Sequence, residues 1–357
     1  MSFNKSGQNS FHAFSSKYRT VKSSAFTHTS MMSPIASFYI PGLDEEKFLK
    51  LYNDALERNE VLHMTEKHRD ISPILIDLDF RYPNEKTFLQ RQYSMDSIKS
   101  LIKVYLEEVS KYVDESKFEV YIMEKSKPVQ YEKKNVIKDG VHIVIPNIVT
   151  NLSLQLMLRE QLLSKLSFIE DEAKCINKID DIFDKAVIDK NNWMMYGSCK
   201  PYNEPYLITN HITFNINDDN EITEHNNRID KDKPWLYTET LSIRNKDEES
   251  PYREDKKESI EKMEYAYQDQ KIKRTIISKS QQSKENKKVT QSCSFELAEQ
   301  LVDILSVDRA DNYDSWIRVG WCCRNIDNRL LRSWITFSKK SSKFVDEDEC
   351  EQAWRYM

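Results

Sequence analysis

Residues 74–82 read Ile74-Leu75-Ile76-Asp77-Leu78-Asp79-Phe80-Arg81-Tyr82, an apolar run that carries two acids. Alternation at period two puts Ile74, Ile76, Leu78 and Phe80 on one face of a strand. Asp77 and Asp79 share the other face, their Cα atoms about 7 Å apart. Carboxylates placed side by side repel and raise one another's pKa unless a cation lies between them, so the pair is a candidate site for a divalent metal. Taken alone, the stretch reads more simply as the wet face of an antiparallel sheet, its acids solvated or paired with Arg81 and nearby lysines.

Outward from this strand the chain mixes helical and extended pieces. A helix precedes it across DEEKFLKLYNDALERN, with Phe48, Leu49, Tyr52, Ala55 and Leu56 on one face, and SFYI before that reads as a strand. A second helix covers about 94–113, where Ile98, Leu101, Ile102, Tyr105, Val109 and Tyr112 keep the i, i+3, i+4 stripe. FEVYIME is a strand, and a lysine-rich loop with Pro128 leads to DGVHIVIP, read as an Asp-Gly turn followed by a strand. A third helix is expected over roughly 153–168, then the acidic stretch IDDIFDKAVIDK and the strand-like pieces NWMMYGSCK and PYLIT. The order argues an α+β fold rather than a βαβ ladder.

Composition narrows the function. With 53 basic against 58 acidic residues and a formal net charge of −5, affinity for a polyanion has to come from a local patch. The six cysteines lack paired zinc-ligand spacing and the density of a disulfide scaffold, so no zinc is expected and the thiols read as reduced and intracellular. No stretch approaches the roughly 20 apolar residues of a membrane span, which points to a soluble chain. The five glycines form no phosphate-cradling loop, so side chains and metals must hold any bound phosphate.

Four regions are expected: a disordered basic arm over 1–33, a catalytic domain over 34–243, a charged linker over 244–291 and a small helical module over 292–357. The final AWRYM falls within an amphipathic helical pattern, which suggests a longer protein.

His142 adds to the acidic pair. With Val141, Ile143 and Ile145 turned to the core, its imidazole lies on the opposite face, where it can donate to phosphate oxygens if its strand neighbours the acids. Asp180, Asp181, Asp184 and Asp189 offer a third acid, and Ser198 and Lys200 follow. Acids with a lysine on neighbouring strands suit metal-assisted phosphoryl transfer.

These motifs in order, Asp77-Leu78-Asp79, Gly140-Val141-His142, Phe183-Asp184 and Met195-Tyr196-Gly197-Ser198-Cys199-Lys200, resemble those of the archaeo-eukaryotic primases. The match is to the primase part of primase-helicases of nucleocytoplasmic large DNA viruses, over about 35–215. The segment from Asp308 to Trp354 is similar to the primase C-terminal helical module. The resemblance implies a mixed or antiparallel sheet with an RRM-like half, flanked by helices and followed by an all-α module. It places metal ligands on Asp77, Asp79 and Asp184, the nucleotide-phosphate histidine on His142, and a serine–lysine phosphate contact on Ser198 and Lys200. Asp184 is chosen among the nearby acids because its distance to YGSCK fits the family pattern. Two departures stand out: Met194 where some primase-polymerases carry arginine, and Gly140 where a serine precedes the histidine.

The activity so implied is primer synthesis on single-stranded DNA by two-metal nucleotidyl transfer, using Mg²⁺ or Mn²⁺ and NTPs or dNTPs. The setting is viral genome replication in the host cytoplasm or viral factory, with a fused or associated helicase. Template and primer contacts are sought in Lys125, Lys127, Lys133 and Lys134 with the aromatics Tyr82, Trp193 and Tyr196. In the tail they are sought in Arg324, Arg329, Arg332, Lys339, Lys340 and Lys343. Other readings of the acidic pair are a nuclease, a nucleotide-sugar glycosyltransferase, or a non-catalytic module that binds single-stranded DNA beside a helicase.

Overall fold

The acidic stretch lies in the longest pairing of the molecule, two antiparallel strands matched along most of their length. The computed structural model describes residues 10–21, 25–32, 35–271 and 295–356, in two units, Met1–Tyr267 and Gln268–Met357. The principal elements of the first unit are α1 (Phe11–Ser16), β1 (Arg19–Thr20), β2 (His28–Ser30), β3 (Ala36–Phe38), α2 (Gly42–Glu57), β4 (Met64–Glu66), β5 (Ile71–Pro83), α3 (Met95–Val109), β6 (Lys117–Glu124), β7 (Val129–Tyr131), β8 (Val136–Asn151), α4 (Leu152–Leu166), β9 (Trp193–Met194), β10 (Leu207–Ile216) and β11 (Ile222–Asn226). One antiparallel sheet runs β11-β10-β6-β8-β5 with β7 added to β8, and a smaller one runs β1-β3-β2-β4-β9.

Ile74, Ile76, Leu78 and Phe80 of β5 are fully buried in one core with residues of α3 and α4, as the alternation requires. Burying four such side chains contributes roughly 6–12 kcal/mol before chain entropy is counted. The helices that cover them start where a side chain satisfies an orphan N–H: Ser94 Oγ accepts from the Ser97 amide, and Asn151 Oδ1 accepts from that of Leu154. From those caps α3 turns Ile98, Leu101, Ile102, Tyr105 and Val109 onto the sheet.

Three expectations of organisation are corrected. Residues 10–21 and 25–32 of the supposed disordered arm are folded: Phe11 and Phe14 sit in a second core with Phe38, Phe48 and Tyr52, and Phe11 packs 5.3 Å from the Phe48 ring. A few aromatics among many hydroxyls suffice because each phenyl buries a large apolar area; residues 1–9, 22–24 and 33 lie outside the described residues. The charged linker does not begin at Arg244 either. Arg244 pairs with Glu45, Arg253 donates to the Ser110 carbonyl, and Ile260 reaches the main core. Polar composition there describes one wet side of a segment pinned by backbone bonds and a few anchors; residues 272–291 lie outside the described residues. Finally, Asp139-Gly140 is no turn but the middle of β8.

In the second unit, helices Phe295–Asp303, Val307–Asp311, Tyr313–Ile326, Leu331–Ser338 and Glu347–Tyr356 close around Trp316, Trp334 and Trp354. Trp316 stacks on Trp334 at 4.7 Å and donates from Nε1 to Ser338 Oγ at 2.7 Å. This is the all-α module expected.

Asp184 owes its position to a buried cation. Arg159 of α4, 1% exposed, donates from Nε to the Phe183 carbonyl at 2.9 Å and from Nη2 to the Asp180 carbonyl at 2.6 Å. It thereby fixes the turn that delivers Asp184. Replacing Arg159 with Met strands two carbonyls and a buried turn, so a loss of about 2–4 kcal/mol is expected. A thermal melt reads this as a fall of several degrees, and an unchanged midpoint removes Arg159 from the scaffold.

Candidate functional site

Register brings the sequence motifs together. Asp77 lies directly across from His142, and Asp79 across from Gly140, so alternation on β5 and β8 sends both acids and the imidazole to one face. The Asp184 amide donates to the Asp77 carbonyl at 2.9 Å, tying the third acid to the same strand. Asp77, Asp79, Asp184, His142, Lys125, Lys127, Ser198 and Lys200 all line one cavity of about 650 Å³, within the range of small-molecule sites.

The other acids are engaged elsewhere. Asp180 pairs with Arg159 at 2.8 Å, Asp181 lies 3.7 Å from Arg81, and Asp189 Oδ2 accepts from the Tyr267 hydroxyl at 3.4 Å.

Asp77 is electrostatically strained. Its carboxyl is pushed well above the usual carboxylate range, first by burial and then by Asp79 and Asp184. Its Oδ1 is buried without a hydrogen-bond partner among the described residues, with His142 Nε2 at 3.5 Å. His142 is held neutral, its pKa lowered to about 3 by burial and by Lys125 and Lys200. It offers a neutral N–H donor rather than a charge. An orphaned carboxylate oxygen beside two more acids fits an oxygen-seeking divalent cation. The side chains are not drawn into a closed three-ligand cluster among the described residues. Asp184 Oδ1 instead accepts from the Ala186 amide at 2.9 Å.

Around this centre β6 and β8 are clamped to the segment before α3. Arg91 bridges Glu124 at 2.7 Å and Asp139 at 3.0 Å, and donates to the Lys125 carbonyl at 2.8 Å. Lys125 feels burial and Lys200, both of which lower its pKa. Its ammonium sits 4.8 Å from the centre of the Tyr206 ring. That ring lies flat on His142 at 3.7 Å, and Trp193 flanks the imidazole at 4.7 Å.

Several expected contacts take other work. The Ser198 hydroxyl accepts from the Met64 amide at 3.0 Å and lies 2.8 Å from the Tyr52 hydroxyl. Because Tyr52 donates to the Tyr196 carbonyl, the Ser198 hydroxyl donates to Tyr52, and Ser198 ties the turn after β9 to β4 and α2. Gly197, at φ +84° with Leu56 against it, makes that turn. Tyr82 is buried, stacked on Phe88, and Tyr196 is buried in an apolar cluster; neither is a stacking platform. Lys134 is exposed outside the cavity lining, and the side chain of Lys133 lies outside those described.

The cations of the helical module are also committed. Arg329 pairs with Asp327 at 2.7 Å and Lys339 with Glu347 at 2.6 Å. Lys340 donates to the Asp303 carbonyl, Lys343 to that of Asp311 and Arg324 to that of Trp354, capping helix C-termini. Arg332 is exposed.

Residues missed by the sequence reading also line the cavity: Lys138, Tyr206, Asn192, Thr29 and Thr65. Lys138 was legible, since period two backwards from His142 meets Gly140 and Lys138. Thr29 and Thr65, 2.6 Å apart on neighbouring strands, carried no signal because β2 lies in the segment read as an arm and β4 is only three residues long.

Paired acids on the edge strand of the large antiparallel sheet lie beside a neutral histidine and lysines in one cavity, a donor set that fits an anionic ligand together with a divalent cation. A sequence model described as "C962R protein N-terminal AEP domain" matches residues 27–212, just over half of the chain. One described as "Primase C terminal 2 (PriCT-2)" matches 298–357. The chain belongs to the AEP, or archaeo-eukaryotic primase, family and carries the PriCT-2 module after that domain. It is 32% identical over 375 residues to "Putative helicase L207/L206" of Acanthamoeba polyphaga mimivirus, covering 97% of this chain and 38% of the relative. It is 24% identical to "Putative helicase 184R" of Invertebrate iridescent virus 6 over 369 residues, 93% of this chain and 37% of the relative. The chain thus spans a little over a third of these relatives.

The Asp77 shift fixes a pH dependence. A carboxyl with its folded pKa raised costs nothing below the unfolded value of about 3.9, where both states are protonated. As pH climbs past it, only the unfolded state ionises readily, so stability falls. Asp77→Asn removes this penalty: in metal-free buffer its thermal midpoint exceeds that of the wild type at pH 8 and converges with it near pH 4. Equal midpoints at both pH values sink the assignment. Adding Mg²⁺ or Mn²⁺ at pH 8 raises the wild-type midpoint and leaves that of the variant nearly in place.

Proposed function

We propose that the first unit is a nucleotidyltransferase that synthesises primers on single-stranded DNA, consuming NTPs or dNTPs. The observation that carries this reading is the convergence of Asp77, Asp79, Asp184, His142, Lys125 and Lys200 on one cavity. Membership of the primase family supports it.

In the reaction the oxygen of a 3′-hydroxyl attacks the α-phosphorus as its proton is lost to solvent, the bond to the β-phosphate oxygen breaks, and pyrophosphate leaves with the electron pair. Asp77, Asp79 and Asp184 are the residues that would hold two Mg²⁺ or Mn²⁺ ions. Those ions, when bound, supply acidity to the 3′-hydroxyl and charge neutralisation to the leaving group. The chain's own residues do the rest. His142, neutral at working pH, donates its N–H to a phosphate oxygen without repelling a neighbouring cation, and Lys125 and Lys200 place fixed positive charge on the triphosphate. Arg91 holds the end of β6 against Asp139 of β8, and with them Lys125 and His142, in position. Lys127 and Lys138 continue the basic rim along which a template backbone runs. Arg332 on the helical module remains a candidate phosphate contact.

The names of these relatives support a helicase as the partner in the remainder of a longer protein, and their viral sources support work in viral DNA replication, in the cytoplasm or viral factory. Among the described residues no helix is long and apolar enough to cross a membrane.

The test is single-stranded template, labelled NTPs or dNTPs and Mg²⁺ or Mn²⁺, with and without a supplied primer. Template-dependent products longer than any input are expected, reduced at least about a hundredfold in Asp79→Asn and with a raised KM for nucleotide in Lys200→Ala. Shortened template, or binding without synthesis under every condition, overturns the proposal in favour of a nuclease or a DNA-binding module.

A further inference from the structure

Tyr206 stands at the mouth of β10 with its ring flat on His142, 3.7 Å between centroids and 17° between planes. Its hydroxyl reaches over Gly140. A Cβ built on Gly140 would stand 2.7 Å from Tyr206 Oη and 3.0 Å from the Leu78 carbonyl, so the phenol already occupies the space a side chain at 140 would take. On the cavity face of β8 the row reads Lys138, Gly140, His142, and Gly140 faces Asp79 in register. The gap in that row is filled by the residue just before β10.

The cavity walls differ in charge. Lys125, Lys127, Lys138 and the acids lie on the large-sheet side, whereas Thr29, Met31, Thr65, Asn192 and Met194 make a wall of neutral side chains, with Lys200 the cation beside it, following the Cys199 amide that donates to the Leu62 carbonyl. A nucleotide seated between them turns its phosphates to the first wall and its sugar and base to the second, and Tyr206 belongs to the first. A tyrosine phenol carries its proton at neutral pH, so it can donate.

We infer that Tyr206 is a ligand-contacting residue whose hydroxyl donates to a phosphate oxygen of the bound nucleotide, in the space that Gly140 leaves open. This rests on the nucleotide-binding reading above.

Calorimetric titration of the full chain with ATP, dATP and inorganic tripolyphosphate, each with Mg²⁺, tests it. Tyr206→Phe keeps the ring on His142 and removes only the hydroxyl. All three ligands are expected to bind about tenfold more weakly, about 1.4 kcal/mol, with the melting curve little changed. Adding Gly140→Ser in that background returns a hydroxyl to the same space, now free of the phenol oxygen, and should recover part of the loss. Unchanged affinity in Tyr206→Phe overturns the inference, as does weaker ATP binding with tripolyphosphate unaffected, or a double variant no tighter than the single one. Wild-type protein that binds none of the three overturns the proposed function itself, which separates the two failures.

Discussion

The antiparallel pairing of β5 with β8 is the constraint on which the site depends. It sets Asp77 against His142 and Asp79 against Gly140, and a slip of one residue would send the imidazole into the core while its apolar neighbours faced the acids. The alternating apolar residues of both strands therefore fix the chemistry indirectly: burying Ile74, Ile76 and Leu78 with Val141, Ile143 and Ile145 leaves the polar set nowhere else to go. Like charges held together in this way are costly, and the cost is visible in Asp77, protonated more readily than an ordinary aspartate. The scaffold tolerates that because the strand is anchored by far more apolar burial than one carboxyl can undo.

Third-acid placement follows a different logic. Local spacing offered four aspartates, and nothing in period or charge separates them. What separates them is tertiary: the bridge between Leu78 and Phe183, the bond from the Asp184 amide to Asp77 and the grip of Arg159 on the preceding turn. An arginine in the middle of an amphipathic helix reads as a solvated charge, yet here it is the most buried cation of the site's scaffold.

Legibility tracked periodicity. Long elements such as α3, β5 and α4 were readable to within a few residues, and Asp77, Asp79 and His142 were readable because a strand has only two faces. Short elements were not: β2 and β4 are three residues each, too brief for any alternation to register, yet they supply the neutral wall of the cavity. Composition misled in both tails of the domain. Serine and threonine around Phe11 and Phe14 suggested disorder, and the lysines of the helical module suggested a nucleic-acid surface where most of them close helix ends. Tyr206 had no spacing to betray it, since it reaches the site from the start of β10, which is separated from β5 by both β6 and β8.

The segment beyond Leu241 shows where the domain really ends. Glu66 on β4 is buried, and its carboxylate accepts from Ser242 Oγ and from the Ile243 amide, each at 2.9 Å; burial still raises its pKa to about 7. A chain cut at a compositional boundary near 241 would leave that carboxylate sealed in apolar surroundings with its donors gone, on the strand position paired with Trp193, whose ring flanks His142. The same cut would release Arg244 from Glu45 and Arg253 from the end of α3. The minimal folding unit is therefore drawn by buried hydrogen bonds rather than by hydrophobicity, and its C-terminal edge lies past Ile260.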